Sequence, residues 1–312
     1  MSTEGRYNQF LIQENMQKLI LSNPLSPGDI LMSTSAFRDL HLAYPGKYLT
    51  DFRVPSGCEQ IFDNNPYITK IDDNDPEARH IRLDYSEIHR SGVSGRAFAE
   101  AHTMDLAKNL GIEIPITKLS PDIFLSDTEK NWLNPATLEF GDIGDYWVVN
   151  CGVKNDYTLK RWYHYQEMVN EAKNRLGVKF VQIGDLRHDH PLLDQVYDLR
   201  GRTDLRQLFR LQYHAQGVVC GVSLSMVIQN AFRKPCVVLA GARETLRWQI
   251  DDNCQYLYTN GCMDCTDVNS CWKSKKESCL KIVDSEPLCM KLITPTQVVD
   301  AMERYYIGGK IK

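Results

Sequence analysis

The chain has 312 residues, 43% of them hydrophobic, and a formal net charge of -4. That length supports two ordinary cores of about 150 residues each, and the acidic balance disfavours a strong nucleic-acid binder, which needs a basic face against phosphates. The opening MSTEGRYNQFLIQENMQKLI lacks a basic head followed by an unbroken apolar core, and no window of about 18 apolar residues occurs, so a cytoplasmic protein without a signal or membrane span is expected.

QKLILSN reads as a strand or a helix end and leads through the turn PLSPGD into ILMSTSAFRDLHLAY, whose apolar residues recur at helical spacing. YLTDFRV follows as a strand, EQIFDNNP as a short helix, YITKID and RHIRLDY as strands, and GRAFAEAHTMDLAKNLG as a helix closed by Gly111. Residues 119–144 are rich in Pro, Asp and Gly without a clear period and read as a linker, dividing the chain into domains 1–140 and 141–312. The rhythm then restarts. DYWVVNCG is a buried strand, YHYQEMVNEAKNRLG a helix with a Gly cap, KFVQIGD a strand, TDLRQLFRLQYHA a helix introduced by Thr203, GVVCGV a strand, SLSMVIQNAF a helix and PCVVLAG a strand. Strands alternating with helices of this length predict an α/β chain with parallel sheets and right-handed crossovers, as two Rossmann-like domains facing a cleft. Ligands of such sheets sit outside the carboxyl ends of the strands, so those turns carry the candidate chemistry.

In SPGDILMSTSAF, Asp29 falls at a helix start, where it can cap free N–H groups or serve as a general base at the cleft mouth. After the strand ending at Gly152, the turn carries Lys154, Lys160 and Arg161, cations suited to the charge that grows on a departing diphosphate. Gly221 to Ser225 forms a strand-to-helix turn whose amides can receive a phosphate, with Ser223 within it, and a second turn carries Gly241 and Arg243. Neither GxGxxG nor GxxxxGK[ST] occurs, so a nucleotide held by scattered turns fits better than a dinucleotide fingerprint or a P-loop. The histidines of Arg187-His188-Asp189-His190 read as a solvated loop rather than a metal site.

Read together, GDILMSTSAFRDLHLAYPG, DNNPYI, the KRW of Lys160 to Trp162, GRTDLRQLFRL and GVSLSMVIQNAF followed by KPCVVLAG resemble glycosyltransferase family 9, the heptosyltransferases, across most of the chain. CVVLAGARETLRW, a cysteine-rich insertion with CW, and CMKLITPTQVVDAMERYY are similar to a cysteine-bearing subgroup that includes heptosyltransferases acting on autotransporter proteins. The resemblance implies GT-B architecture and an inverting, metal-independent transfer of a sugar from a nucleotide-diphosphate donor, most simply ADP-heptose. It places the catalytic base on Asp29 and the phosphate-contacting lysine on Lys160. It further implies that the last helix, TPTQVVDAMERYY, crosses back onto the first domain. The chain departs from the family at Val227, where a histidine is usual, and at Ser223, where many members have aspartate; the resemblance implies that the contacts those two family side chains make to the donor phosphate are lost.

Ten cysteines in a chain without export signals point to metal or redox chemistry rather than disulfides. Five of them, Cys262, Cys265, Cys271, Cys279 and Cys289, fall in or beside segment 254–289, and four thiolates around one ion suit zinc or iron. The subgroup resemblance favours Cys265, Cys271, Cys279 and Cys289, with Cys262 as the substitute, and iron as the ion. Cys58, Cys151, Cys220 and Cys236 are expected to pack as small hydrophobes. The acceptor, a glycan, a protein Ser/Thr or another hydroxyl, is not legible, and neither is homo-oligomerisation. The rivals are a non-catalytic sugar-nucleotide-binding or assembly protein that kept the fold, and an NAD-type oxidoreductase.

Overall fold

The computed structural model describes residues 16–83, 94–244, 253–259 and 281–307, with positions 87, 91, 247, 248 and 279 besides. The first sheet is three-stranded and parallel, with β1 (Gln17–Ser22) between β2 (Tyr48–Arg53) and β3 (Arg79–Arg82). The QKLILSN ambiguity therefore resolves to strand, with Leu19, Ile20 and Leu21 buried at its centre. The expected helix after it is split into α1 (Pro27–Met32) and α2 (Thr34–Ala43). At the break, the hydroxyls of Ser33, Thr34 and Ser35 donate to the carbonyls of Ile30, Leu31 and Met32 at 2.6, 2.7 and 2.8 Å, the local competition that makes such residues poor helix interiors. YITKID is not a strand, because β3 occupies the free side of β1 and the segment instead follows β2 through Thr69 N–H to Thr50 O (2.8 Å) and Ile71 N–H to Asp51 Oδ2 (2.9 Å). α3 (Phe98–Leu110) ends as expected at Gly111, whose φ of +68° favours glycine.

Residues 119–144 hold two short helices, α4 (Asp127–Asn131), capped by Ser126, and α5 (Pro135–Phe140), capped by Asn134. The second sheet follows: β4 (Trp147–Asn150), β5 (Phe180–Gln182), β6 (Tyr197–Asp198), β7 (Gly217–Gly221), β8 (Cys236–Gly241) and β9 (Cys254–Tyr258). Its order is β6-β5-β4-β7-β8-β9, with every pairing parallel. The order reverses between β4 and β7, which opens a crevice at their carboxyl ends. The connecting helices are α6 (Tyr165–Leu176), α7 (Leu205–His214) and α8 (Leu224–Phe232). Asp204, not Thr203, caps α7, accepting from Gln207 N–H at 2.7 Å.

Alternation along the strands divides two cores. Val148, Val181, Val218 and Val238 face a core continuous with the first sheet, while Trp147, Val149, Phe180, Val219 and Val237 face the opposite side, the period of two expected of strands buried on both faces. Gly217 is required there by close approach, since a Cβ would lie 2.6 Å from the Trp147 ring. Cys58, Cys151, Cys220 and Cys236 are buried as expected. A hairpin of β10 (Ile282–Val283) and β11 (Glu286–Pro287) precedes α9 (Leu288–Lys291) and the last helix, α10 (Pro295–Tyr306).

The expected return of α10 onto the first domain is corrected. Its apolar side, Val298, Val299 and Met302, joins the second core beneath Trp147, Arg175 of α6 pairs with Asp300 and Glu303, and the Tyr305 hydroxyl donates to Cys236 O and Asn253 O. Its apolar stripe is consumed by the sheet it follows in sequence. The halves are joined elsewhere: Arg206 of α7 grips Glu129, Phe98 N–H donates to Trp248 O with the rings stacked at 5.2 Å, and Arg247 pairs with Glu100. Among the described residues no helix is long and apolar enough to cross a membrane.

Candidate active site

The crevice is a cleft of about 1070 Å³ walled from both halves, by residues 25–29 and 56–60 on one side and by the turns after β4, β5, β7 and β8 on the other. Asp29 stands at the start of α1, where its carboxylate accepts from Ser26 N–H at 3.2 Å, so cap and cleft residue are one group. Burial pushes its pKa up from 3.8 to about 6; the Ser26 amide and Lys154 pull against this, and Glu244 adds to it. Proximity crowds the helix starts: a Cβ on Gly28 would lie 3.5 Å from Leu224 Cα and 3.8 Å from Val227 Cγ2. Val227 is therefore a buried apolar contact across the cleft.

Lys154 crosses the cleft, its Nζ donating to Ser26 Oγ at 2.6 Å. Lys160 ends a 3-10 turn, Thr158–Lys160, and donates to Val222 O at 3.0 Å. Burial lowers its pKa from 10.5 to about 8, Glu244 and Asp29 raising it and Lys154 and Arg243 lowering it. Arg161 is directed elsewhere. It pairs with Asp189 and lies over the Tyr163 ring at 5.3 Å, and it is not among the residues that wall the cleft.

Ser223 precedes α8 and makes no side-chain cap; its Oγ is buried with no hydrogen-bond partner among the described residues, next to the amides that open the helix. Ser225 Oγ accepts from Asn150 Nδ2 at 3.1 Å. Gly221 ends β7 and Gly241 ends β8; the latter, at φ +63°, is backed by Met290 and Cys289, with a Cβ meeting Met290 Sδ at 2.8 Å. Arg243 lines the cleft and donates to Ser91 Oγ (2.6 Å) and Glu244 Oε1 (3.2 Å).

Two groups were missed in the sequence. Glu244, whose side chain is 8% exposed, lines the cleft and acts electrostatically on both Asp29 and Lys160; the only signal was its place in the turn after β8. His188 and His190, expected in a solvated loop, are half-buried on the cleft wall, and only the Arg187 part of that loop is exposed.

Of the five cysteines considered for metal, Cys262, Cys265 and Cys271 lie outside the described residues. Cys279 and Cys289 are buried, and burial together with the nearby Cys279 thiol raises the pKa of Cys289. Thr259 Oγ1 donates to Cys289 O at 2.7 Å, so both ends of the cysteine-rich segment meet behind Gly241. Among the described residues no group of three or more metal-capable side chains occurs.

No family model and no curated protein matches the chain by sequence. Solved structures do. The ADP-heptose lipopolysaccharide heptosyltransferase II of E. coli aligns with a TM-score of 0.64 at 16% identity, over 93% of this chain and 99% of that one. A glycosyl transferase family 9 protein of Veillonella parvula gives 0.64 at 15% identity, over 94% and 98%. The iron-containing dodecameric glycosyltransferase TibC of enterotoxigenic E. coli gives 0.65 at 16% identity, over 94% and 77%. The chain has the fold of these glycosyltransferases, the GT-B fold, with its two parallel sheets.

Proposed function

We propose that the protein is a glycosyltransferase that moves a sugar from a nucleoside diphosphate to an acceptor hydroxyl with inversion. The observation that carries this is the convergence of Asp29 from the first half with Lys154, Lys160 and Arg243 from the second in one cleft. Asp29 removes the acceptor proton, the freed oxygen pair attacks the anomeric carbon, and the bond to the diphosphate breaks on the opposite face. With a pKa of about 6, Asp29 is ionised at neutral pH yet a far stronger base than an ordinary carboxylate. The diphosphate docks at the start of α8, where the open amides and Ser223 Oγ face it, and Lys160, with Lys154 and Arg243, offsets the charge it gains on leaving.

ADP-heptose is the proposed donor, supported by the likeness to a heptosyltransferase that uses it. A homo-oligomeric assembly and a cysteine-bound iron or zinc ion extend the proposal, supported by the likeness to TibC. The donor set suits such an ion: Cys279 and Cys289 are two buried thiols close together at the root of the cysteine-rich segment. When bound, the ion would contribute folding free energy to that segment.

The test combines donor binding and transfer. Thermal unfolding with ADP, UDP, GDP and CDP should show stabilisation by one of them, about 2.7 kcal/mol at 100 times its dissociation constant. Asp29→Ala should keep that binding and lose transfer. No shift with any nucleotide, or full transfer in the variant, rejects the assignment.

A further inference from the structure

We propose that His190 is a donor-binding residue that hydrogen-bonds the nucleoside end of the nucleoside diphosphate at the carboxyl ends of β4 and β5, an assignment that rests on the transferase reading. Gly152 and Gly184 follow these two strands. A Cβ on Gly152 would lie 1.9 Å from His190 Nδ1, and one on Gly184 would lie 2.3 Å from the same atom. Neither glycine has a positive φ, so what each supplies is space. The imidazole thus fills a notch that any side chain at either position would close.

The loop that delivers His190 is fastened from several directions. Val153 and Asp189 exchange backbone hydrogen bonds at 3.0 and 3.2 Å, Asn155 Nδ2 donates to Arg187 O at 3.0 Å, and Arg200 Nη1 donates to His190 O at 2.6 Å. Asp189, between the two histidines, also pairs with Arg161. Such fastening places the ring before any ligand arrives, which spares the ordering cost at binding.

The ring's orientation assigns its nitrogens. Nδ1 is buried against the two glycines and has no hydrogen-bond partner among the described residues. The proton therefore belongs on Nε2, at the edge of the ring turned from the glycines, and His190 as a whole lines the cleft. Burial, with His188 close by, lowers the His190 pKa to about 4, so the group that meets the ligand at neutral pH is an uncharged N–H. This separates its role from that of the lysines, which act on the phosphates as cations.

Position along the sheet identifies the part of the ligand. The sheet order β5-β4-β7 puts the notch one and a half strand spacings, roughly 7 Å, from β7. The diphosphate is proposed at the start of α8, which follows β7, and the reacting sugar must point toward Asp29. The nucleoside then extends the other way, over β4 and β5, where an acceptor atom of its ribose or base meets Nε2–H.

The experiment compares calorimetric binding of ADP, UDP, GDP, CDP and inorganic pyrophosphate to the full chain, as wild type, His190→Ala, His190→Gln and Gly152→Ala. Gly152→Ala keeps the histidine but expels it from the notch. Loss of one neutral hydrogen bond predicts that the best nucleoside diphosphate binds about tenfold more weakly to His190→Ala and Gly152→Ala, with His190→Gln in between and pyrophosphate unchanged in all. Wild-type nucleotide affinity in both His190 variants would overturn the assignment, as would an equal loss of pyrophosphate, which marks general damage to the site. A wild type that binds no nucleotide would instead remove the transferase reading beneath it.

Discussion

Raising the pH through 8 should discharge Lys160 and release its anionic ligand. Burial sets this ammonium at about 8 rather than 10.5, a difference on the order of 3 kcal/mol in favour of the neutral amine. The sign follows from that direction: the cation is present below the lowered value and lost above it. With a pKa of about 8, roughly nine-tenths of the molecules carry the charge at pH 7 and about one-tenth at pH 9. If the neutral amine contributes little to diphosphate binding, the dissociation constant should rise about tenfold between those pH values. Calorimetric titration of ADP at constant ionic strength from pH 6.5 to 9.5 measures it, and Lys160→Met should bind more weakly at pH 7 and lose the inflection. A flat wild-type profile, or an inflection that survives in the variant, would refute the placement of Lys160 on the diphosphate.

The low-pH limb of transfer belongs to Asp29: kcat/KM should fall about tenfold per pH unit below about 6 as the raised carboxyl takes up a proton, and a limb near 4 would deny its burial. Arg206→Met should destabilise the protein by about 3 kcal/mol in denaturant unfolding, because Glu129, 12% exposed and gripped at 2.7 Å by both Nε and Nη2, loses its partner. Burial raises the pKa of Glu129, but the Ser126 amide and Arg206 together outweigh it and leave it lowered. Its contribution is therefore present above the ordinary carboxylate range and lost as acid protonates it, and wild type and variant should converge in stability at low pH. Cys271→Ser with Cys279→Ser should lower metal content and thermal stability together; unchanged metal content would discard the proposed ligand set.

Much of the fold was legible because strands and helices write their periods locally. The β4, β5, β7 and β8 segments show it: each is an apolar run bounded by turn residues, and each became a strand buried on both faces. YITKID failed because its alternation satisfied a strand pattern while β3 had already taken the free side of β1. The single helix expected after β1 failed because three consecutive hydroxyls competed for its carbonyls.

In the cleft, residues that stand in turns beside strand ends were legible beforehand: Asp29, Lys154, Lys160, Ser223, Ser225 and Arg243 all line it. Turn chemistry and strand ends are properties of a few neighbouring residues, so they survive without coordinates. Coordinates were needed to show which way Arg161 turns, that Glu244 faces Asp29 and Lys160, that α10 stays with its own sheet, and that His190 rests on Gly184, close by in the chain, and on the more distant Gly152. Those outcomes depend on the order in which strands pair and on which surfaces crossovers bring together. Neither quantity leaves a periodic trace in the chain.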